Sequence, residues 1–165
     1  ADLARRWRAD RSTGHITLDD RVTNTGGTSW PPFGMYHINF GTGLFDAETR
    51  LTGAMLPGGS LPWRFGEGER EIFCVPAAET ATHGWAEIAI GPIAALGGRS
   101  VHIRFRTDTL PHLQVWRNLS LGSAVLGIEP VSHPLVPRAE LIASGKAANF
   151  APGESVGYGL AFEVR

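Results

Sequence analysis

Short apolar stretches, each cut off from the next by glycine or proline, limit how this chain can fold. The 21 glycines and 11 prolines are scattered along the chain and do not gather in a linker. Punctuation of that kind breaks helices and leaves strands, so the pattern predicts an all-β protein. The stretches agree. Val101-His102-Ile103-Arg104-Phe105-Arg106 alternates apolar and polar side chains, the period of a half-buried strand. Similar readings place strands over 15–24, 35–41, 71–75, 85–90, 113–116, 124–128 and 155–164, with a short one near Thr49-Arg50-Leu51. Residues 53–70 read as one long irregular loop. Residues 1–10, with Arg5, Arg6 and Arg8 around Trp7, fit a strand or a short helix. Near 137–142 a helical turn is expected. The architecture expected is an antiparallel β-sandwich of roughly eight to ten strands, one domain over residues 1–165.

Composition excludes several function classes. Hydrophobic residues are 42% and charged residues 19%, which describes a globular chain and not a disordered one. The net charge of −1 gives no electrostatic reason to expect nucleic acid or an anionic membrane as partner. No apolar run is long enough for a transmembrane helix, and no signal peptide is visible. The lone Cys74 forms no internal disulfide, which suits a reducing compartment and a cytoplasmic location. The chain opens Ala1-Asp2-Leu3 without methionine, which permits a processed or truncated start.

Tyr36-His37-Ile38-Asn39-Phe40-Gly41 is the stretch richest in chemistry. On a strand His37 and Asn39 leave the same face, while Ile38 and Phe40 pack on the other. Far along the chain, Glu129 lies between Ile128 and Pro130. Partial burial there would raise its pKa toward that of a general base. We expect His37 and Glu129 to meet as an acid/base pair. The plain alternatives are a solvated glutamate at a strand end and a histidine satisfied in place. His102, aligned with Arg104 and Arg106, reads as a solvated face. No His or Cys spacing supports a metal site. Cys74 in an apolar strand reads as an inert thiol. Trp63 and Trp116 could stack on sugar faces, against core packing as the commoner role.

In order along the chain, Val22-Thr23-Asn24-Thr25-Gly26, then 36–41, Pro111-His112-Leu113-Gln114-Val115-Trp116, Gly127-Ile128-Glu129-Pro130 and Ala151-Pro152-Gly153-Glu154-Ser155 resemble the aldose 1-epimerase (galactose mutarotase-like) superfamily, in its epimerase-like branch. The resemblance implies a β-supersandwich, or half of one, and a cleft for a small-molecule sugar. It implies Glu129 as the base that deprotonates the anomeric hydroxyl and His37 as the acid that protonates the ring oxygen. It also implies Gln114, Asn39 and Arg117 as sugar contacts. No metal and no cofactor is implied, because only protons move. The family's pattern sets its histidine and asparagine four apart; here they are two apart. The family's domain is also longer, and this chain starts where its second half would. The expectation is therefore association, with itself or with a missing N-terminal half. Two other readings stand beside the epimerase. One is a non-catalytic carbohydrate-binding sandwich. The other is a hexose-6-phosphate 1-epimerase, whose arginine cluster could draw only on Arg50, Arg117 and Arg138.

Overall fold

A computed structural model of the chain describes residues 1–145, 147 and 149–165. Eleven strands form among them. In chain order they are β1 (Asp2–Ala9), β2 (Ile16–Thr23), β3 (Ile38–Gly41), β4 (Arg50–Thr52), β5 (Ser60–Pro62), β6 (Arg70–Pro76), β7 (Trp85–Ile93), β8 (Arg99–Arg106), β9 (His112–Asn118), β10 (Val125–Val131) and β11 (Ser155–Val164). One short helix, α1 (Arg138–Ala143), stands where a helical turn was expected.

The strands make two sheets, antiparallel at every pairing. The larger has seven strands in the order β1-β2-β11-β8-β7-β4-β5, and the smaller four in the order β3-β10-β9-β6. Alternation builds the layer between them. Leu18, Ile88, Ile103, Phe105 and Leu160 point inward from the larger sheet, and Leu113, Val115, Leu126 and Ile128 from the smaller. Burying each such side chain contributes about 1.5–3 kcal/mol. This is an antiparallel β-sandwich, the class expected from the sequence.

The differences from expectation have local causes. The strand expected over 35–41 is regular only from Ile38. Tyr36 donates its backbone N–H to the Pro130 carbonyl at 3.0 Å, but Pro130 has no N–H to return. The ladder therefore breaks there, leaving a single bridge from Met35 to Val131. Residues 1–10 are a strand, because β2 offers them a full antiparallel partner. The loop over 53–70 contains β5, which pairs with β4 although its Ser-Leu-Pro sequence shows no alternation. The strand count is thus eleven, above the expected range.

One polar link crosses the apolar layer. Asp20 of β2 is 5% exposed. It accepts from Arg5 Nε and Nη2 at 2.8 and 2.7 Å, and from the Tyr36 hydroxyl at 2.5 Å. Burial alone would raise the Asp20 pKa. The bonds from Arg5 and Tyr36 outweigh it and hold the carboxyl below its ordinary value. Tyr36 immediately precedes His37, so this link fixes the height of the smaller sheet's edge over the larger one. Asp20→Ala should cost about 2–3 kcal/mol in urea unfolding, because two donors lose a charged acceptor. A loss below about 0.5 kcal/mol would place the link among inconsequential surface pairs.

Candidate active site

The outward face of the smaller sheet carries the site. Pairing aligns Cys74 of β6 with Gln114 of β9, and Gln114 with Glu129 of β10. The β10–β3 register continues through the Met35–Val131 bridge and brings His37 opposite Glu129. Four polar side chains therefore form one row across four strands. The adjacent row holds Ile72, Trp116, Gly127 and Asn39. Intervening residues such as Ile128 and Val115 point into the core, so alternation sends both rows outward.

Glu129 is almost fully buried, although it is on the outward face. Gln114 Nε2 donates to its Oε2. His37 Nε2 lies 2.9 Å from its Oε1. That contact is short but poorly directed, and Oε1 remains buried without a hydrogen-bond donor. Burial raises the Glu129 pKa; Gln114 and the neighbouring His37 pull against the shift and do not cancel it. The arrangement is a carboxyl group that burial makes harder to ionise, with one acceptor atom unused.

Gly127 makes room for the pair. A Cβ there would stand 2.7 Å from Glu129 Oε1 and 2.9 Å from His37 Cε1, inside contact distance of both. The imidazole rests over this bare stretch of backbone and meets the Trp116 ring edge-on, centroids 5.6 Å apart. The His37 side chain is 41% exposed, so it is held on two sides only.

The other expected residues divide. Gln114 belongs to the site, bonded to Glu129. Asn39 is exposed on the same face, one row away, above Gly127. Arg117 is elsewhere. It alternates with Gln114 and Trp116 and points through the sheet to the opposite face. There its guanidinium donates to the Phe65 carbonyl at 3.0 and 2.6 Å and to that of Gly68 at 2.9 Å. It is 1% exposed and ties down the 64–69 loop, so the structure does not bring it to His37 and Glu129. Trp63 is also structural, donating Nε1 to the Asp46 carbonyl and packing on Phe45. Trp116 is the tryptophan on the site face. Arg50 bonds Ser60, and Arg138 lies over the Phe33 ring. No arginine cluster therefore forms from these three. Asn24 braces its turn, donating to the Thr28 and Phe150 carbonyls and accepting from the Gly26 N–H. No group of three or more metal-ligating side chains occurs among the described residues. Among them, no helix is long and apolar enough to cross a membrane.

Gly127 and Cys74 were not expected in the site. A glycine has no side chain to read, and the place of Cys74 opposite Gln114 follows from strand pairing alone.

Solved structures share this sandwich. A candidate aldose 1-epimerase from Klebsiella pneumoniae superposes with a TM-score of 0.75 at 19% identity, over 98% of this chain and 46% of that one. A galactose mutarotase-like protein from Lactobacillus casei gives 0.64 at 15%, over 99% and 63%. A galactose mutarotase related enzyme from Lactobacillus acidophilus gives 0.63 at 10%, over 99% and 61%. The fold is thus that of the galactose mutarotase-like structures, and the chain spans about half the length of the first solved structures it matches. No curated protein matches the sequence. Residues 60–164 match the family described as a domain of unknown function, DUF4432, and the chain belongs to that family.

The raised Glu129 pKa has a sign that can be tested. An acid that is harder to ionise in the folded state contributes its full stability below its unfolded pKa. That contribution is lost as pH rises through the elevated folded pKa. Glu129→Gln, which never ionises, should lose this dependence. Urea midpoints should show the variant gaining on the parent between pH 4 and pH 8. A parallel pH profile for both proteins would mean that Glu129 ionises without penalty.

Proposed function

We propose that this face carries out aldose 1-epimerase-like chemistry on a neutral sugar, with Glu129 as base and His37 as acid. The observation that carries the reading is the buried, unused Oε1 of Glu129 beside an exposed imidazole. Glu129 takes the proton of the anomeric hydroxyl. The bond from the anomeric carbon to the ring oxygen breaks, its electron pair goes to that oxygen, and protonated His37 supplies the proton from Nε2. The open aldehyde rotates and closes from the other face by the reverse transfers. Protons balance and no electrons are exchanged.

Geometry supports the pairing. The two oxygens that exchange protons are bonded to one carbon, so acid and base must stand close together. At 2.9 Å the pair is tighter than a bound sugar would leave it, and binding must swing the imidazole off Oε1. Its exposure and its poorly directed contact allow that. Trp116 offers a ring for the sugar's C–H face, and Asn39 and Gln114 offer hydroxyl contacts. A neutral sugar is favoured over a 6-phosphate because Arg50, Arg117 and Arg138 are engaged elsewhere.

The test is anomer exchange by NMR on a panel of aldoses and a hexose 6-phosphate. One neutral aldose should be accelerated, and Glu129→Gln should lower the rate by about 10²–10⁴-fold. A preference for the 6-phosphate would overturn the neutral-sugar assignment. Binding without acceleration would make the chain a carbohydrate-binding module.

We also propose that the sandwich associates along its β1–β3 side. Seven strands face four, and the inner face of β1 extends past the smaller sheet with Leu3 and Trp7 more than half exposed. β3 is an edge strand with a free ladder. Light scattering should show self-association or capture of a complementary half-domain. A monomer that unfolds in one cooperative step at high concentration would contradict this.

A further inference from the structure

A cavity of about 480 Å³ lies at one end of the sandwich, and neither His37 nor Glu129 lines it. Its size falls in the range of small-molecule sites, about 300–1,000 Å³. The turn between β8 and β9, the chain on either side of the two sheets, and α1 close around it. Phe33, Tyr158, Pro134 and Leu141 supply apolar walls.

Three buried side-chain polar atoms lack any partner among the described residues, and two of them belong to residues that line this cavity: Thr109 Oγ1 and His112 Nδ1, both just beneath its surface. Orphaned polar atoms are costly and few in native interiors, so two on one cavity mark it as a place for hydrogen bonding. A third group joins them. His133 Nδ1 faces the Pro134 carbonyl at 3.1 Å, a contact that only an N–H can make. In the neutral ring its Nε2 is left as an acceptor. Burial, and then the neighbouring His133, lower the His112 pKa, which keeps that ring uncharged at neutral pH. Asp108, at the cavity margin, is paired with Arg106. Among the described residues Asp108 is the only charged side chain on the lining, so that lining favours neither an anion nor a cation.

We propose that this cavity is a second binding site, for a neutral hydroxylated ring such as a pyranoside. Hydroxyls would bond Thr109, His112 and His133, and the C–H faces would lie against Phe33 and Tyr158. The site is separate from the Glu129 row and does not depend on the epimerase reading.

The test uses methyl β-D-glucopyranoside and methyl β-D-galactopyranoside, which are locked against ring opening and so report binding without turnover. Phenol serves as a hydroxylated aromatic comparison. Histidine ring signals are followed by NMR, with His112 and His133 reporting this cavity and His37 the other site. At least one glycoside should shift the His112 and His133 signals saturably. Thr109→Val, which replaces the hydroxyl by a methyl group, should weaken that binding about tenfold. Leu141→Trp should fill the cavity and abolish it, and Glu129→Gln should leave it unchanged. Signals unmoved by either glycoside, or moved by phenol alone, would overturn the proposal. So would glycoside affinity undiminished in Thr109→Val. A negative result here leaves the anomer-exchange assay unaffected, and the reverse also holds.

Discussion

The register between β9 and β10, with Gln114 opposite Glu129, is the constraint on which both the core and the site depend. Side chains alternate with a period of two, so sliding one strand by a single residue would exchange its faces. Val115 or Ile128 would then meet solvent, and Gln114 or Glu129 would enter the apolar layer. The core therefore enforces the register, and the register sets the row of polar groups outside it. Tyr36 and His37 show the coupling over one peptide bond. The first points inward to the Asp20 carboxylate and the second outward to Glu129. The site's position is a by-product of packing that would be required in its absence.

Glu129 is where the fold tolerates an electrostatic cost. Its carboxylate is nearly inaccessible, has one neutral donor in Gln114, and keeps an oxygen without a donor. A structural carboxylate in the same chain looks different. Asp20 is comparably buried, yet three charged or hydroxyl donors satisfy it and its pKa moves down, whereas that of Glu129 moves up. The contrast separates a carboxylate satisfied by the fold from one that the fold leaves harder to ionise. Gly127 belongs to the same cost. A side chain there would fill the hollow that lets imidazole and carboxylate approach.

Much of this was legible in the sequence because it depends on alternation. The strand from 101 to 106, the outward pairing of His37 with Asn39, and the burial of Glu129 among apolar neighbours are local patterns. Arg117 shows the opposite case. Its odd spacing from Gln114 already put the two on different faces of any strand, and the resemblance to a sugar-binding family argued the other way. β5 was hidden because Ser60-Leu61-Pro62 has no pattern and is a strand only through β4. The row from Cys74 to His37 was hidden for a related reason: it joins residues far apart in the chain through three registers, and no local pattern encodes a register.

The placement of His37 at a sheet edge bears on what the pair can do. In the proposed ring opening, His37 must change partners, from the carboxylate beside it to the sugar's ring oxygen. A histidine on a central strand, packed on both sides like Gln114, would resist that movement. Just before β3 the imidazole has Glu129, Gly127 and Trp116 on its inner flank and, among the described residues, no strand beyond it. The same openness leaves the site unwalled on that side. Any further strand docking along β3 would place its outward side chains directly beside the imidazole. In the proposed reaction, selectivity among sugar hydroxyls would then be written partly in that added surface.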